Sequence, residues 1–203
     1  MASGAGTNFQ HVIDCIARGS LALSIAGLVC NRAGAPVLEK AKAAGVPSSL
    51  LIWDRAAMSR AQFDRRIFAA VAEIKPDVVL LLGWMHILSS EFIAGFGDLI
   101  NIHPAFLPLD ARQDTVTMPD GSSIPAFRGA HSLAAALAAR SPWTGATAHL
   151  VSVDVDRGPV LAREAMALRS EDTLESAYAR LRPIEHRVLE AGLAAWLTTL
   201  STR

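Results

Sequence analysis

Asn101 and His103, in the run Asn101-Ile102-His103-Pro104, have the types and spacing for chemistry on a carbonyl group. They follow a short strand-like segment, Asp98 to Ile100. On an extended chain, residues two apart point to the same side. An asparagine amide can donate to an oxygen that gains charge, and a histidine can donate or relay a proton near neutral pH. Asp156 lies in Asp154-Val155-Asp156-Arg157-Gly158-Pro159, where the Gly-Pro ends a strand and leaves a carboxylate in a loop. Such a carboxylate can orient His103 and stabilise its charged form. Gly4, Ala5, Gly6, Thr7 and Asn8 follow Ser3 in a glycine-rich loop ahead of a helical period. Its backbone N–H groups and the helix N-terminus suit an anion such as phosphate. Each motif alone has a plainer counterpart: a buried, hydrogen-bonded histidine, a solvated turn aspartate, a tight turn.

The elements that must position these residues alternate. Leu21 to Cys30 and Asp77 to Leu82 are continuous apolar runs, as in parallel strands covered on both faces. Ahead of the first run, Phe9, Val12, Ile13 and Ile16, and between the two, Phe63, Ile67, Val71 and Ile74, form helical stripes. Gly19 and Pro76 stand where those helices should stop. Strands alternating with helices give an α/β class with a doubly wound sheet, whose ligand site lies beyond the carboxyl ends of the strands. Further on, Ala146 to Val155 and Val160 to Leu168 read as strands. Asp172-x-x-Glu175 reads as a capping box opening a helix with Leu174, Tyr178 and Leu181, which Pro183 should kink or restart. The glycine-rich loop has almost no room for the strand that normally precedes one. Either that first strand is missing or the natural start lies upstream of Met1, and the second is preferred.

Composition narrows the function. The chain has 203 residues with 19 basic and 19 acidic side chains, so it lacks the charge for wholesale nucleic-acid binding. No apolar run is long enough to span a bilayer, and the N-terminus does not read as a signal peptide. Cys15 and Cys30 have no metal-like spacing and read as free thiols in a cytoplasmic protein.

The motifs occur in one order: Ser-Gly-Ala-Gly-Thr-Asn from Ser3, Asn31-Arg32-Ala33, Gly83-Trp84-Met85, Asn101-Ile102-His103-Pro104, the Asp154–Pro159 run, then Glu185-His186. In this the chain resembles the phosphoribosylglycinamide formyltransferases of purine synthesis, within the wider family of 10-formyltetrahydrofolate-dependent formyltransferases. The resemblance runs from Ser3 to about Arg187, and the Asn-x-His-Pro with its downstream Asp-x-Gly-Pro is its specific part. It implies a single formyltransferase domain over residues 1–203. The implied fold is Rossmann-like, a mostly parallel central sheet with helices on both faces and a truncated first strand. It implies formyl transfer from 10-formyltetrahydrofolate as co-substrate, without a metal, to the amine of glycinamide ribonucleotide. Small molecules are the partners, not nucleic acid or membrane, and a homodimer is compatible with it.

By position, the resemblance makes Asn101, His103 and Asp156 catalytic. It assigns Gly4 to Asn8, Arg182 and Glu185 to the phosphate and ribose side of the substrate. It assigns Trp84, Met85, His86, Ile87, Leu88, Val153 and Asp154 to the folate. The chain departs from the family pattern in two places. His86 stands where an arginine is common. A stretch at about 109–128 is inserted after the Asn-x-His-Pro run, with β-branched residues flanking Pro119-Asp120-Gly121. That stretch reads as a β-hairpin: a lid, a dimer contact, a substrate-selecting element or a neutral surface loop. The alternatives are transfer to another phosphorylated amine, or a catalytically weak folate- or nucleotide-binding protein.

Overall fold

The computed structural model describes residues 1–200; residues 201–203 of the expected domain lie outside them. The chain forms two compact units that divide after Ile100.

The first unit is built as strand and helix in turn: α1 (Thr7–Ala17), β1 (Leu28–Cys30), α2 (Val37–Ala43), β2 (Ser48–Leu50), α3 (Arg60–Ile74), β3 (Val78–Leu81), α4 (Ser90–Gly95) and the start of β4 (Asp98–His103). β1 and β2 pair in parallel, Leu28 opposite Ser48 and Cys30 opposite Leu50. The strand read over Leu21 to Cys30 shortens to β1, because β2 offers ladder partners only to Leu28–Cys30. α1 buries Phe9, Val12 and Cys15, and α3 buries Phe63, Ile67 and Val71. A reciprocal Ser59–Gln62 capping box opens α3.

Met1 to Ser3 act as a short strand. The Ala2 N–H donates to the Val29 carbonyl (3.1 Å) and the Leu82 N–H to the Met1 carbonyl (2.9 Å). The Met1 amine donates to the Leu80 carbonyl at 2.6 Å. Burial pushes that amine down to about 5, so at neutral pH it is an uncharged donor. The first strand, expected to be truncated, is a short piece hydrogen-bonded to β1 on one side and to the β3 segment on the other.

The second unit holds the end of β4, then β5 (Thr115–Thr117), β6 (Ser123–Pro125), α5 (Ser132–Ala138), β7 (Trp143–Leu150), β8 (Val160–Ala167) and α6 (Leu174–Leu200). β4 neighbours β7, and β7 neighbours β8. β7 and β8 are antiparallel, from Trp143 opposite Ala167 to His149 opposite Val160, with a register shift after Ala148. β7 starts earlier than the reading from Ala146 and stops at Leu150, ahead of the loop that carries Asp156. The turn into β8 requires glycine: a Cβ on Gly158 would lie 1.7 Å from the Leu150 carbonyl oxygen. α6 packs across β7 and β8 through Leu181, Val188, Leu189, Leu193 and Trp196. Pro183 neither breaks nor restarts it. The cap is Thr173 with Ser176, whose side chains accept from each other's backbone N–H groups, one position on from the expected box. Asp172 instead accepts from the Arg169 N–H and pairs with Arg180. Leu174, at the start of the helix, is exposed.

Candidate active site

β4 brings Asn101 and His103 to one side of the strand, and the loop after β7 brings Asp156 to them. His103 is buried (3 % exposed) and its Nδ1 lies 3.4 Å from Asp156 Oδ2. Its Nε2 lies 2.8 Å from the Phe127 carbonyl. A carbonyl can only accept, so Nε2 carries a proton. Nδ1 is then the position where a proton can be gained or lost beside the carboxylate. Burial pulls the His103 pKa below its usual value, aided by His149 and Arg128; Asp156 and the Phe127 bond oppose this without overcoming it. Asp156 favours the charged ring, as expected, but burial outweighs it and biases the resting ring toward neutrality.

Asp156 adopts φ 54°, the left-handed region that aspartate tolerates better than most residues. Burial by itself would raise its pKa. The His149 ring, the charge on His103 and a 2.7 Å bond from the Gly129 N–H outweigh it and draw the carboxyl down to about 2.

His149, on β7, was missed in the sequence. It is buried, with Nδ1 2.8 Å from the Leu150 carbonyl and Nε2 3.1 Å from Asn101 Nδ2 and 3.5 Å from Asp156 Oδ1. The neutral ring accepts from the Asn101 amide and fixes its direction; the protonated ring donates to Asp156. The available signal was a lone imidazole in the apolar run Gly145-Ala-Thr-Ala-His-Leu. Thr147, two residues earlier, ties β7 to the chain after β4: its hydroxyl donates to the Ala105 carbonyl (2.7 Å) and accepts from the Leu107 N–H (3.0 Å).

Val153 and Asp154 lie exposed on the same loop as Asp156. Arg182 is exposed and Glu185 half-buried on α6, a turn apart.

In the first unit, Gly4 to Asn8 form the entry to α1. Gly6 is left-handed (φ 69°), and a Cβ there would lie 2.6 Å from Val37 Cγ2. No side chain caps α1, which leaves its N-terminus without a side-chain acceptor of its own, as an anion site requires. Asn8 is 9 % exposed, and its Oδ1 has no hydrogen-bond partner. Trp84 is buried with its Nε1 unpartnered, while Met85 and Ile87 are exposed and Leu88 is half-buried. His86 Nε2 lies 3.0 Å from Asp64 Oδ1, and the ring packs edge-on against Trp53, Phe63 and Trp84. Burial lowers its pKa and Asp64 opposes that.

The formyl transferase family model matches residues 1–109 and 120–193. The chain belongs to the formyl transferase family. Among family members, it is 34% identical over 200 residues to the phosphoribosylglycinamide formyltransferase of Mycobacterium tuberculosis, covering 98% of this chain and 83% of that one. It is 32% identical to the trifunctional purine biosynthetic protein adenosine-3 of Bos taurus, over 94% of this chain; it spans only 17% of that relative's length. The crystal structure of the phosphoribosylglycinamide formyltransferase of Bacillus halodurans matches with a TM-score of 0.81 at 29% identity, covering 97% of this chain and 92% of that one. The α/β formyltransferase fold read from the sequence is therefore the fold of this chain. The family match passes over residues 110–119, inside the expected insertion. No helix among the described residues is long and apolar enough to cross a membrane.

Proposed function

We propose that this protein transfers the formyl group of 10-formyltetrahydrofolate to the amine of glycinamide ribonucleotide, a step of purine biosynthesis. The observation that carries the reading is the convergence of Asn101, His103 and Asp156 in a chain of this family. The names of its relatives supply the substrate.

The amine nitrogen attacks the formyl carbon, and the carbonyl electron pair moves onto oxygen. Asn101 donates to that oxygen; its amide has a second N–H beyond the one directed at His149. His103 turns its Nε2 proton from the Phe127 carbonyl to the same oxygen. Oxyanion donors of this kind contribute about 2.7–4 kcal/mol to barrier lowering. The attacking nitrogen gives up a proton to the His103–Asp156 pair, directly or through water. When the oxygen pair re-forms the carbonyl, the bond to folate N10 breaks, and N10 takes the electron pair and a proton returned by the pair. Asp156 stays ionised and stabilises His103 while it holds the extra proton. The Gly4–Asn8 loop takes the phosphate, with Arg182 on the phosphate side and Glu185 on the ribose hydroxyls. Trp84 to Leu88, with Val153 and Asp154, take the folate; the unpartnered Trp84 Nε1 and exposed Met85 and Ile87 support that assignment.

The test is formyl transfer from 10-formyltetrahydrofolate to glycinamide ribonucleotide. Wild-type protein should turn over, and folded Asn101→Ala should lose about 10²–10³-fold in kcat. Folate binding without transfer to this amine would sink the substrate assignment, and near wild-type turnover in Asn101→Ala would remove Asn101 from the mechanism.

A further inference from the structure

The consecutive residues Phe127, Arg128 and Gly129 hold both members of the His103–Asp156 pair. The Phe127 carbonyl accepts from His103 Nε2 (2.8 Å), Arg128 Nε donates to the Asp156 carbonyl (3.2 Å), and the Gly129 N–H donates to Asp156 Oδ2 (2.7 Å). What fixes these residues is the β5–β6 hairpin just before them. Val116, Met118 and Ile124 are buried in a small core with Phe106, Phe127, Trp143 and Ala165. At the tip, Asp120 accepts from the Ser122 N–H (2.9 Å) and from Trp143 Nε1 (2.9 Å), which pins the turn to β7. At the base, the Ala126 N–H donates to the Asp114 carbonyl at 2.8 Å. The hairpin is thus docked along its length and is not a free flap.

Arg128 joins this docked base to the Asp156 loop. Its side chain is 13% exposed, and its guanidinium also donates to Asp114 Oδ1 (3.1 Å) and the Gln113 carbonyl (2.8 Å). Arg157, beside Asp156, pairs with the same Asp114 and donates to the Ala111 carbonyl at 2.6 Å. The Asp156 carbonyl, through Arg128, and the neighbouring Arg157 side chain are therefore tied to residues 111–114, within the stretch that the family match passes over. A planar fork of donors can bridge several acceptors at once, which a lysine ammonium does poorly.

We propose that the inserted hairpin is a brace for the reacting pair, with Arg128 as a positioning residue that keeps the Asp156 carboxylate against His103. The brace rests on the proposed reaction for its kinetic readout only; a second readout is independent of it.

The groups facing His103 are Asp156, which raises its pKa, and His149 and Arg128, which lower it. Losing the Arg128 charge alone would raise the His103 value. Losing the brace would let Asp156 move away and lower it. Histidine NMR titration therefore separates the two roles. In Arg128→Ala and in the charge-keeping Arg128→Lys, His103 should titrate lower than in wild type. In the same variants kcat should fall roughly 10–100-fold with KM within about twofold, the loss expected from a misplaced catalytic group. An unchanged or raised His103 value in both variants overturns the brace whatever kcat does. Should both Arg128 variants fail to fold, Asp114→Asn, at a mostly exposed residue, carries the test: a lowered His103 value supports the brace and a wild-type value overturns it. Wild-type protein that transfers no formyl to glycinamide ribonucleotide would refute the proposed function, and the titration alone would then decide the brace.

Discussion

The surroundings of Asp156 and the turn from Trp84 to Leu88 differ in how completely their polar groups are used. Around Asp156, the carboxylate oxygens, the backbone carbonyl, both His103 nitrogens and the Asn101 amide all meet protein partners. In the first unit, Trp84 Nε1 and Asn8 Oδ1 are buried with no hydrogen-bond partner, and Met85 and Ile87 stand 56% and 64% exposed. An unpaired buried polar atom costs about 1–3 kcal/mol, so a fold keeps such atoms where something else is gained. The first region sets its geometry within the protein, as chemistry at one bond requires. The second has the profile of a recognition surface, with apolar side chains outside and unspent donors and acceptors inside.

The sharpest way to break the comparison is to disturb the satisfied region. Asp156→Asn keeps the shape and removes the charge. It should lower kcat about 10²–10⁴-fold, the range for a positioned proton-transfer group, with KM for folate little moved. A loss under tenfold would mean that the tight geometry serves stability rather than chemistry. Next in size is Met118→Ala. Met118 is 3% exposed in the hairpin core, so its truncation should cost about 2–5 kcal/mol in denaturant unfolding. A cost below about 0.5 kcal/mol, the range of surface substitutions, would show that the hairpin is not part of the rigid region.

The Asp156 carboxyl also makes the satisfied region acid-sensitive. Its pKa is about 2 folded against an ordinary 3.8, so its stabilisation is complete above 3.8 and is lost as pH falls through 2. The shift corresponds to about 2 kcal/mol. Half-buried Asp110 and exposed Asp114 and Asp120 are lowered too and lose stability in the same direction. The test is therefore the difference between wild type and Asp156→Asn in unfolding free energy at pH 5 and pH 2. Parallel acid dependence in the two proteins would contradict the assignment. His103 acts in a separate, higher window: its pKa is lowered in the fold, so stability starts to fall as pH drops below its ordinary 6.5.

How much of this could be read from residues alone follows from the range of each interaction. Asn101 and His103 were legible because a spacing of two on a strand is a local fact, and Asp156 because Gly158-Pro159 marks the loop beside it. The stripes of α1 and α3 were legible for the same reason. His149 was not, since nothing local distinguishes a buried imidazole in an apolar strand from one that faces Asn101 across 48 positions of sequence. The hairpin could be read from its turn residues, but its docking depends on Trp143 and Phe106, which lie outside it. The length of β1 was misjudged because a strand ends where its partner ends, and that partner is elsewhere in the chain.

The smallest effects test the recognition side. Ile87 is exposed, and covering such a side chain with a ligand is worth about 1.5–3 kcal/mol when complete. Ile87→Ser should therefore raise KM for 10-formyltetrahydrofolate roughly tenfold while kcat stays within about twofold. His86→Arg asks a finer question. His86 is already bonded to Asp64 and packed among three aromatic rings. A guanidinium can keep the carboxylate bond and stack on the rings, so folate KM should move by less than about threefold. A large gain in folate affinity would show that the imidazole leaves a ligand charge unmatched. A large loss with intact folding would show that the histidine ring itself shapes the surface. Either result, set beside an unchanged kcat, would place the effect in recognition and leave the Asp156 region untouched.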